Sequence, residues 1–122
     1  MLSHALYPFL EEALSPAIGP GRVFAGICRD PREIAVLYEL ELGERNGALQ
    51  TAQLILRVYA PKMDRAQSVC EQAAALVDQV KTGGAIRVGD YVVLGSYVRS
   101  NTQYLETIDR YETVTVLHLL YY

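Results

Sequence analysis

The order of apolar and polar side chains divides the chain into seven predicted elements, and the two in the middle have the strongest patterns. From Leu49 to Ala60 apolar residues alternate with side chains such as Gln53, Arg57 and Tyr59. This period of two is typical of a half-buried strand. Pro61 cannot donate a backbone hydrogen bond to a sheet, so we expect the strand to end there.

The residues after this proline predict one amphipathic helix over Asp64–Lys81. Asp64 is a favoured N-cap residue, and Gln67 would complete a capping box with it. Gly83 and Gly84 supply the left-handed conformation that ends many helices. We expect this helix to pack against the core through a single apolar stripe that has Leu76 at its centre. The stripe comprises Ala66, Val69, Cys70, Ala73, Leu76, Val77 and Val80.

Five further elements flank this strand–helix unit. A helical spacing over residues 2–14 ends at Ser15-Pro16, and strands follow over Arg22–Cys28 and Ile34–Leu42. A hairpin at Gly43–Gly47 leads into the central strand. After the central helix, strands over Tyr91–Arg99 and Tyr104–Tyr122 flank a candidate turn at residues 100–102.

The order helix, strand, strand, strand, helix, strand, strand predicts a single α+β domain over residues 1–122. We expect a mostly antiparallel sheet of four or five strands that carries both helices on one face. Toward its end the last strand is apolar on both faces, which is unusual for an open surface strand. A helix of this chain or another subunit should therefore cover its outer face.

Composition excludes several classes of function. A net charge of −3 argues against nucleic acid as the main partner. The chain has neither an apolar run long enough to span a membrane nor a signal peptide, so we expect intracellular synthesis and no membrane partner. Two cysteines, Cys28 and Cys70, form neither a disulfide scaffold nor a metal site, and we interpret both as reduced core thiols.

The sequence contains no catalytic signature. The two histidines, His4 and His118, lack neighbours at the spacing that a metal site or acid–base pair requires. The glycines do not form a phosphate-binding loop, and no serine lies in a nucleophile elbow. Glu39 and Glu41, with Glu44 beyond them, follow one strand, which favours a solvated face or a docking surface for a basic partner. We therefore predict no catalytic, cofactor or metal residues, and not an enzyme.

The element order resembles a known family. An N-terminal helix, a proline- and glycine-rich segment and two strands precede the strand QLILRVYAP (Gln53–Pro61), which joins the alanine-rich helix Asp64–Lys81 directly. The chain closes with RYETVTVLHLLYY (Arg110–Tyr122). Over nearly its whole length this resembles the small tail terminator, or tail completion, proteins of long-tailed bacteriophages and of related phage-derived tail elements. The hairpin at Gly43–Gly47 is shorter than the arm of some relatives.

The resemblance implies a structural role. Such proteins assemble into a ring, commonly a hexamer, on the end of the tail tube, stop its polymerisation and offer a joining surface to the head or its connector. The implied partners are further copies of the chain, the tail tube protein and the head–tail connector protein. The implied location is the virion tail, after assembly in the cytoplasm of the bacterial host. No catalytic residue, cofactor or metal is implied.

Ring formation needs two different surfaces on each subunit, and a sheet edge covered by a neighbour could supply one. The candidate subunit or tube interface residues are Glu39, Glu41, Arg45, Arg57, Tyr59, Lys62, Arg65, His118, Leu120 and Tyr122. One alternative is a small ligand-binding domain or enzyme with a pocket between sheet and helices, marked by Tyr97, Arg99 and Glu106. Another alternative is a protein-interaction module.

Overall fold

The computed structural model describes residues 1–26 and 33–122, which form three helices and six strands. The helices are α1 (Leu2–Ile18), α2 (Met63–Ala75) and α3 (Gln79–Thr82). The strands are β1 (Val23–Ala25), β2 (Ala35–Asn46), β3 (Leu49–Ala60), β4 (Ile86–Val88), β5 (Tyr91–Leu105) and β6 (Arg110–Tyr121).

All six strands belong to one mixed sheet, which is curled into a half-barrel with the order β1-β2-β3-β6-β5-β4. β1 pairs with β2 in parallel, and the other neighbours pair antiparallel. The expectation of a four- to five-stranded, mostly antiparallel sheet with two helices on one face is therefore wrong. The error arises at the two sheet edges. β4 has only three residues and is too short to show an alternating pattern, and β1, which lies within the predicted strand Arg22–Cys28, pairs with β2 in parallel.

The central strand–helix unit is confirmed only in its first half. β3 has the predicted bounds, but the predicted helix is broken into α2 and α3. Lys62 is the N-cap of α2 and makes no side-chain cap bond, so the proposed capping box is wrong. At the break, the Asp78 carboxylate accepts a hydrogen bond from Val80 N at 3.1 Å and caps α3. Gly83 ends α3 in the left-handed conformation, with φ 82°, as predicted.

The helix break changes which apolar residues reach the core. Val77 is fully buried, whereas Val80 on α3 is 82% exposed. Leu76 is the C-cap of α2 and only partly buried, so it is not the centre of the helix stripe. The predicted stripe therefore ends at Val77, because a helical period holds only while the helix continues.

α1 is longer than predicted and contains both Pro8 and Pro16. Its buried residues recur every four positions and are Leu2, Leu6, Leu10 and Leu14. The helix ends at Gly19, whose N–H donates to Ser15 O at 2.8 Å, so the expected end at Ser15-Pro16 is wrong. Cys28, which was predicted to end the first strand, lies outside the described residues.

The hairpin before β3 is confirmed, with Gly47 at φ 63° in its turn, but its predicted bounds Gly43–Gly47 are wrong because β2 continues to Asn46. The turn predicted at residues 100–102 is wrong, because β5 continues to Leu105. There Ser100 and Thr102 exchange hydroxyl hydrogen bonds with Thr115 and Thr113 on β6, each at 2.9 Å. Polar residues that suggested a turn thus serve as cross-strand pairs.

Candidate functional site

The sheet has a core face and an opposite face, here called the outer face, because side chains alternate along each strand. The core face packs against the buried side chains of α1 and α2. The strand registers bring outer-face side chains of four strands into transverse rows. The outer face comprises Ala35, Leu37, Glu39 and Glu41 of β2, Gln53, Ile55, Arg57 and Tyr59 of β3, Glu112, Val114, Val116, His118 and Leu120 of β6, and Arg99, Asn101 and Gln103 of β5.

One end of the outer face carries a charged network that crosses all four strands. Arg57 Nε lies 3.5 Å from Glu39 Oε1, and Arg57 Nη1 lies 3.8 Å from Glu112 Oε2. Gln103 Nε2 donates to Glu112 Oε1 at 2.9 Å. Glu112 is only 6% exposed, so these partners compensate a carboxylate that has lost most of its water. Arg57 and Glu39, both predicted as interface residues, therefore form part of an intramolecular network.

The middle of the outer face is apolar. Leu37 is 4% exposed and Val116 is 3% exposed, Ile55 and Val114 are half-buried beside them, and the half-buried Leu120 lies beyond His118. At the opposite end from the charged network, His118 is exposed and lies beside Gln53, which in turn pairs with Glu41. The outer face thus has an apolar strip between two polar ends, and the half-buried Ile55 and Val114 leave part of this strip accessible.

The ten residues predicted from the sequence fall into separate places. Six lie on the outer face: Glu39, Glu41, Arg57, Tyr59, His118 and Leu120. Arg45 lies beyond Leu42 at the β2–β3 hairpin, and Tyr122 follows β6 and exchanges backbone hydrogen bonds with Val92 at 2.9 and 3.1 Å. Lys62 and Arg65 lie at the start of α2, where Arg65 Nη2 donates to Ala17 O of α1 at 2.7 Å. These last two residues do not join the outer face.

The last strand is not a sheet edge, since β6 lies between β3 and β5. Its core side is fully buried at Leu117 and Leu119, and its outer side is buried at Val116, half-buried at Leu120 and exposed at His118. The neighbouring strands pair with the backbone of β6 at both of its edges but cover neither of its faces. The final strand therefore contributes side chains to the outer face, but its backbone is paired at both edges and cannot pair with a strand of another subunit.

The two edges of the sheet are covered over only part of their length by described residues. β1 pairs with β2 at Val36–Tyr38, and no described residue pairs with the same edge of β2 over residues 39–46, which are here called the free edge of β2. β4 pairs with β5 at Tyr91–Val93, and Asp78 bridges Gly95, which leaves residues 96–105 as the free edge of β5. Sequence reasoning missed both free edges, because it ended these two strands at Leu42 and Arg99.

An open groove of about 710 Å³ lies between the two helices α2 and α3 and the free edge of β5. Its lining includes Glu71, Asp78, Lys81 and Tyr97. Of the three residues proposed for a ligand pocket, only Tyr97 lines this groove. Arg99 lies on the outer face, and Glu106 lies in the turn after β5. The structure therefore does not bring that trio together.

The buried thiol of Cys70 lies beneath the sheet, where its Sγ is 3.1 Å from Thr115 Oγ1. Burial raises the pKa of Cys70 to about 11, so the thiol is protonated at neutral pH. A protonated, fully buried thiol is a packing residue and a poor nucleophile. The expectation of a core thiol is confirmed for Cys70.

Neither a metal-binding cluster nor a membrane-spanning helix occurs in the part of the chain that the structure describes. Residues 1–26 and 33–122 contain no cluster of three His, Cys, Asp or Glu side chains placed to hold a metal ion. Among these residues, none of the helices combines the length and hydropathy that a bilayer crossing requires.

Comparisons with known proteins gave a structural match only. Neither family models nor curated protein sequences matched the chain. One similar chain occurs in a solved structure described as the virion of a native gene transfer agent (GTA) particle, with a TM-score of 0.63 and 14% sequence identity. The alignment covers 98% of this chain and 93% of that chain. At this identity the match shows a shared fold across nearly the whole length of both chains.

Proposed function

We propose that this chain is a non-enzymatic structural subunit of a phage-like virion, and specifically a tail terminator that closes the tail tube as a ring. The observation that carries the proposal is the shared fold with a chain of a GTA virion, which extends over 98% of this chain. The same class of protein was expected from the element order of the sequence. The partners would be further copies of this chain, the tail tube protein and the head–tail connector protein.

The surfaces of the molecule support an assembly role. A ring subunit needs two different contact surfaces for its two neighbours, and a further surface for the tube or connector. The two free edges, at residues 39–46 and 96–105, differ in sequence and lie on opposite sides of the sheet. The outer face, with its apolar strip between Arg57 and His118, is available as the further surface.

Tube capping is the direct test of this function. Purified chain would be added to tail tube protein from the same genome during polymerisation, and tube length would be measured by negative-stain electron microscopy. We expect shorter tubes with a distinct disc at one end, and we expect rings in light scattering of the chain with or without tube protein. Tubes of unchanged length without discs, together with a monomer at all concentrations, would contradict the proposal.

A further inference from the structure

We propose that the free edge of β2 in one copy of this chain pairs antiparallel with the free edge of β5 in a second copy. This inference rests on the proposed function, because it names the subunit contact of the ring. It specifies the two segments that pair, their relative direction and the side chains that lie on each side of the contact.

The polarity of the strands permits this contact. β2, β3, β6 and β5 pair antiparallel in succession, so β2 and β5 run in opposite directions within one sheet. A second copy placed beside the first, with its sheet continuing the first sheet, therefore brings β5 against β2 in an antiparallel arrangement. Because the two edges are different surfaces, repetition of the contact builds a ring if the rotation closes.

The covered parts of each edge limit where the contact can form. β1 occupies β2 up to Tyr38, and β4 with Asp78 occupies β5 up to Gly95. Each free edge contains one register shift, between Leu42 and Arg45 and between Tyr97 and Arg99. The regular segments left for pairing are therefore residues 39–42 of β2 and residues 99–105 of β5.

Charge favours pairing between unlike edges over pairing between like edges. The free edge of β2 carries Glu39, Glu41 and Glu44 against a single Arg45, whereas the free edge of β5 carries Arg99 and no acidic residue. Two β2 edges would place carboxylates opposite one another, which destabilises a strand pair. Neither free edge contains Lys or Pro, the residues that commonly block edge pairing in soluble sheets.

Exposed apolar side chains lie on both edges and on the same side of the sheet. Leu42 is 67% exposed and pairs with the buried Ala52, which places its side chain on the core side. Tyr104 on β5 is 47% exposed and lies on the core side beside Tyr111, with ring centroids 5.2 Å apart. The groove of about 710 Å³ opens along the same side of β5. An incoming β2 would bring Leu42 toward these surfaces and remove them from water.

Disulfide trapping tests the pairing and its direction. Leu42→Cys would be combined in one chain with Ser100→Cys, Thr102→Cys or Tyr104→Cys, which all lie on the core side of β5, in a Cys28→Ser background. Opposed side chains in a strand pair have Cβ atoms about 4.5–5.5 Å apart, which is close to disulfide geometry. After oxidation of assembled rings, we expect one of the three double variants to give a ladder of cross-linked species, and the single variants to stay uncross-linked.

A charge substitution gives an independent measurement. Leu42→Lys would place an ammonium in the contact, and we expect it to lower the ring association constant by about tenfold or more, measured by light scattering across a concentration series. The matched control is Val80→Lys, because Val80 is 82% exposed on α3 and away from both free edges. Equal assembly of Leu42→Lys and the wild type would overturn the inference.

The outcomes separate this contact from the proposed function. If the double variants form rings or capped tubes but none of them gives a ladder of cross-linked species, the proposed edge pairing is wrong, and the proposed terminator function is unaffected. A ladder without an effect on tube length would support the contact and overturn the terminator role. Cross-linking by Leu42→Cys alone would indicate like-edge pairing and contradict the inference, and a chain that stays monomeric beside tube protein would overturn both proposals.

Discussion

The two faces of β6 show how one strand serves two purposes. On the core face, Leu117 and Leu119 are fully buried beneath the helices. On the outer face, His118 is exposed and Leu120 is half-buried, although both alternate with those leucines in the same strand. The core face therefore holds most of the stabilising apolar area, whereas the outer face retains accessible side chains that a partner can contact.

Polar groups also have different environments on the two faces of the sheet. The core face places Cys70 against Thr115 and keeps the thiol protonated. The outer face keeps Arg57, Glu39 and Glu112 in ion pairs across neighbouring strands. Substitutions that are matched in chemistry but placed on opposite faces should therefore affect stability by different amounts, and the following predictions are ordered by that amount.

The largest difference is expected between two adjacent leucines. Leu119→Ala should cost about 2–5 kcal/mol in the free energy of unfolding, because it opens a cavity in the packed core. Leu120→Ala, which removes the same atoms from a half-buried site, should cost below about 1.5 kcal/mol. Urea denaturation followed by circular dichroism measures both. Equal losses would mean that the outer face is packed as tightly as the core.

Alkaline pH should weaken the core through Cys70. Burial raises the pKa of this thiol from 9.0 to about 11, so the folded state resists ionisation that the unfolded state permits. The stabilisation from the protonated thiol is complete below pH 9 and is lost as the pH rises toward 11. The loss should reach about 2–3 kcal/mol.

The control for this prediction is Cys70→Ala, which removes the thiol and keeps the tyrosines that also titrate at alkaline pH. Burial also raises the pKa of Tyr38 and Tyr121, so part of the alkaline weakening should remain in the variant. We expect urea denaturation from pH 8 to 11 to give a steeper decline for the wild type than for Cys70→Ala. Parallel declines would contradict a role of the thiol.

A glycine on β5 should tolerate no side chain. A Cβ at Gly95 would overlap the carbonyl oxygen of Val77, because the backbone passes beside Asp78 at the helix break. Gly95→Ala should cost about 1–3 kcal/mol, since the obstructing atom belongs to the backbone. Gly84→Ala is a useful comparison, since a Cβ there would meet no atom within 4 Å and would add only backbone strain at φ 143°. A thermal shift assay of both variants checks this expectation.

The smallest effects are expected in the outer-face ion pairs. Arg57→Met should cost about 1 kcal/mol, because it leaves the buried Glu112 with fewer partners, whereas Glu39→Gln should cost about 0–1 kcal/mol at its more exposed site. A double-mutant cycle on Arg57 and Glu112 in low and high salt measures their coupling. Coupling below the error of the measurement would mean that the outer-face charges are available for a partner at no cost to the fold.

Local patterns predicted the parts of the fold that depend on near neighbours. β3 was predicted to the residue, because its alternation is unbroken and Pro61 ends it. The helix break at residues 76–78 was missed because the apolar period continues through it. There the Asp78 side chain accepts a hydrogen bond from Val80 N, and Asp78 forms a bridge with Gly95 of β5. β4 was missed for a similar reason, because three residues carry too little pattern to identify a strand.

The candidate site was predicted in part. The alternation placed Glu39 and Arg57 on the outer faces of their own strands, but it could not show that Arg57 pairs with both Glu39 and Glu112. That pairing depends on strand order, which is set by contacts between distant parts of the chain. The free edges were missed because sequence reasoning ended β2 and β5 too early.

By itself the sequence determined which side chains of β2 and β3 face inward, because a period of two is a local property of extended backbone. It also determined the hairpin at Gly47, where a positive φ is required. Only the tertiary structure decided that β6 lies in the middle of the sheet and that β2 and β5 have free edges. Strand order and edge exposure depend on how the apolar side chains of α1, α2 and the sheet are buried together in one core. The sequence of a single segment does not specify these contacts with distant segments.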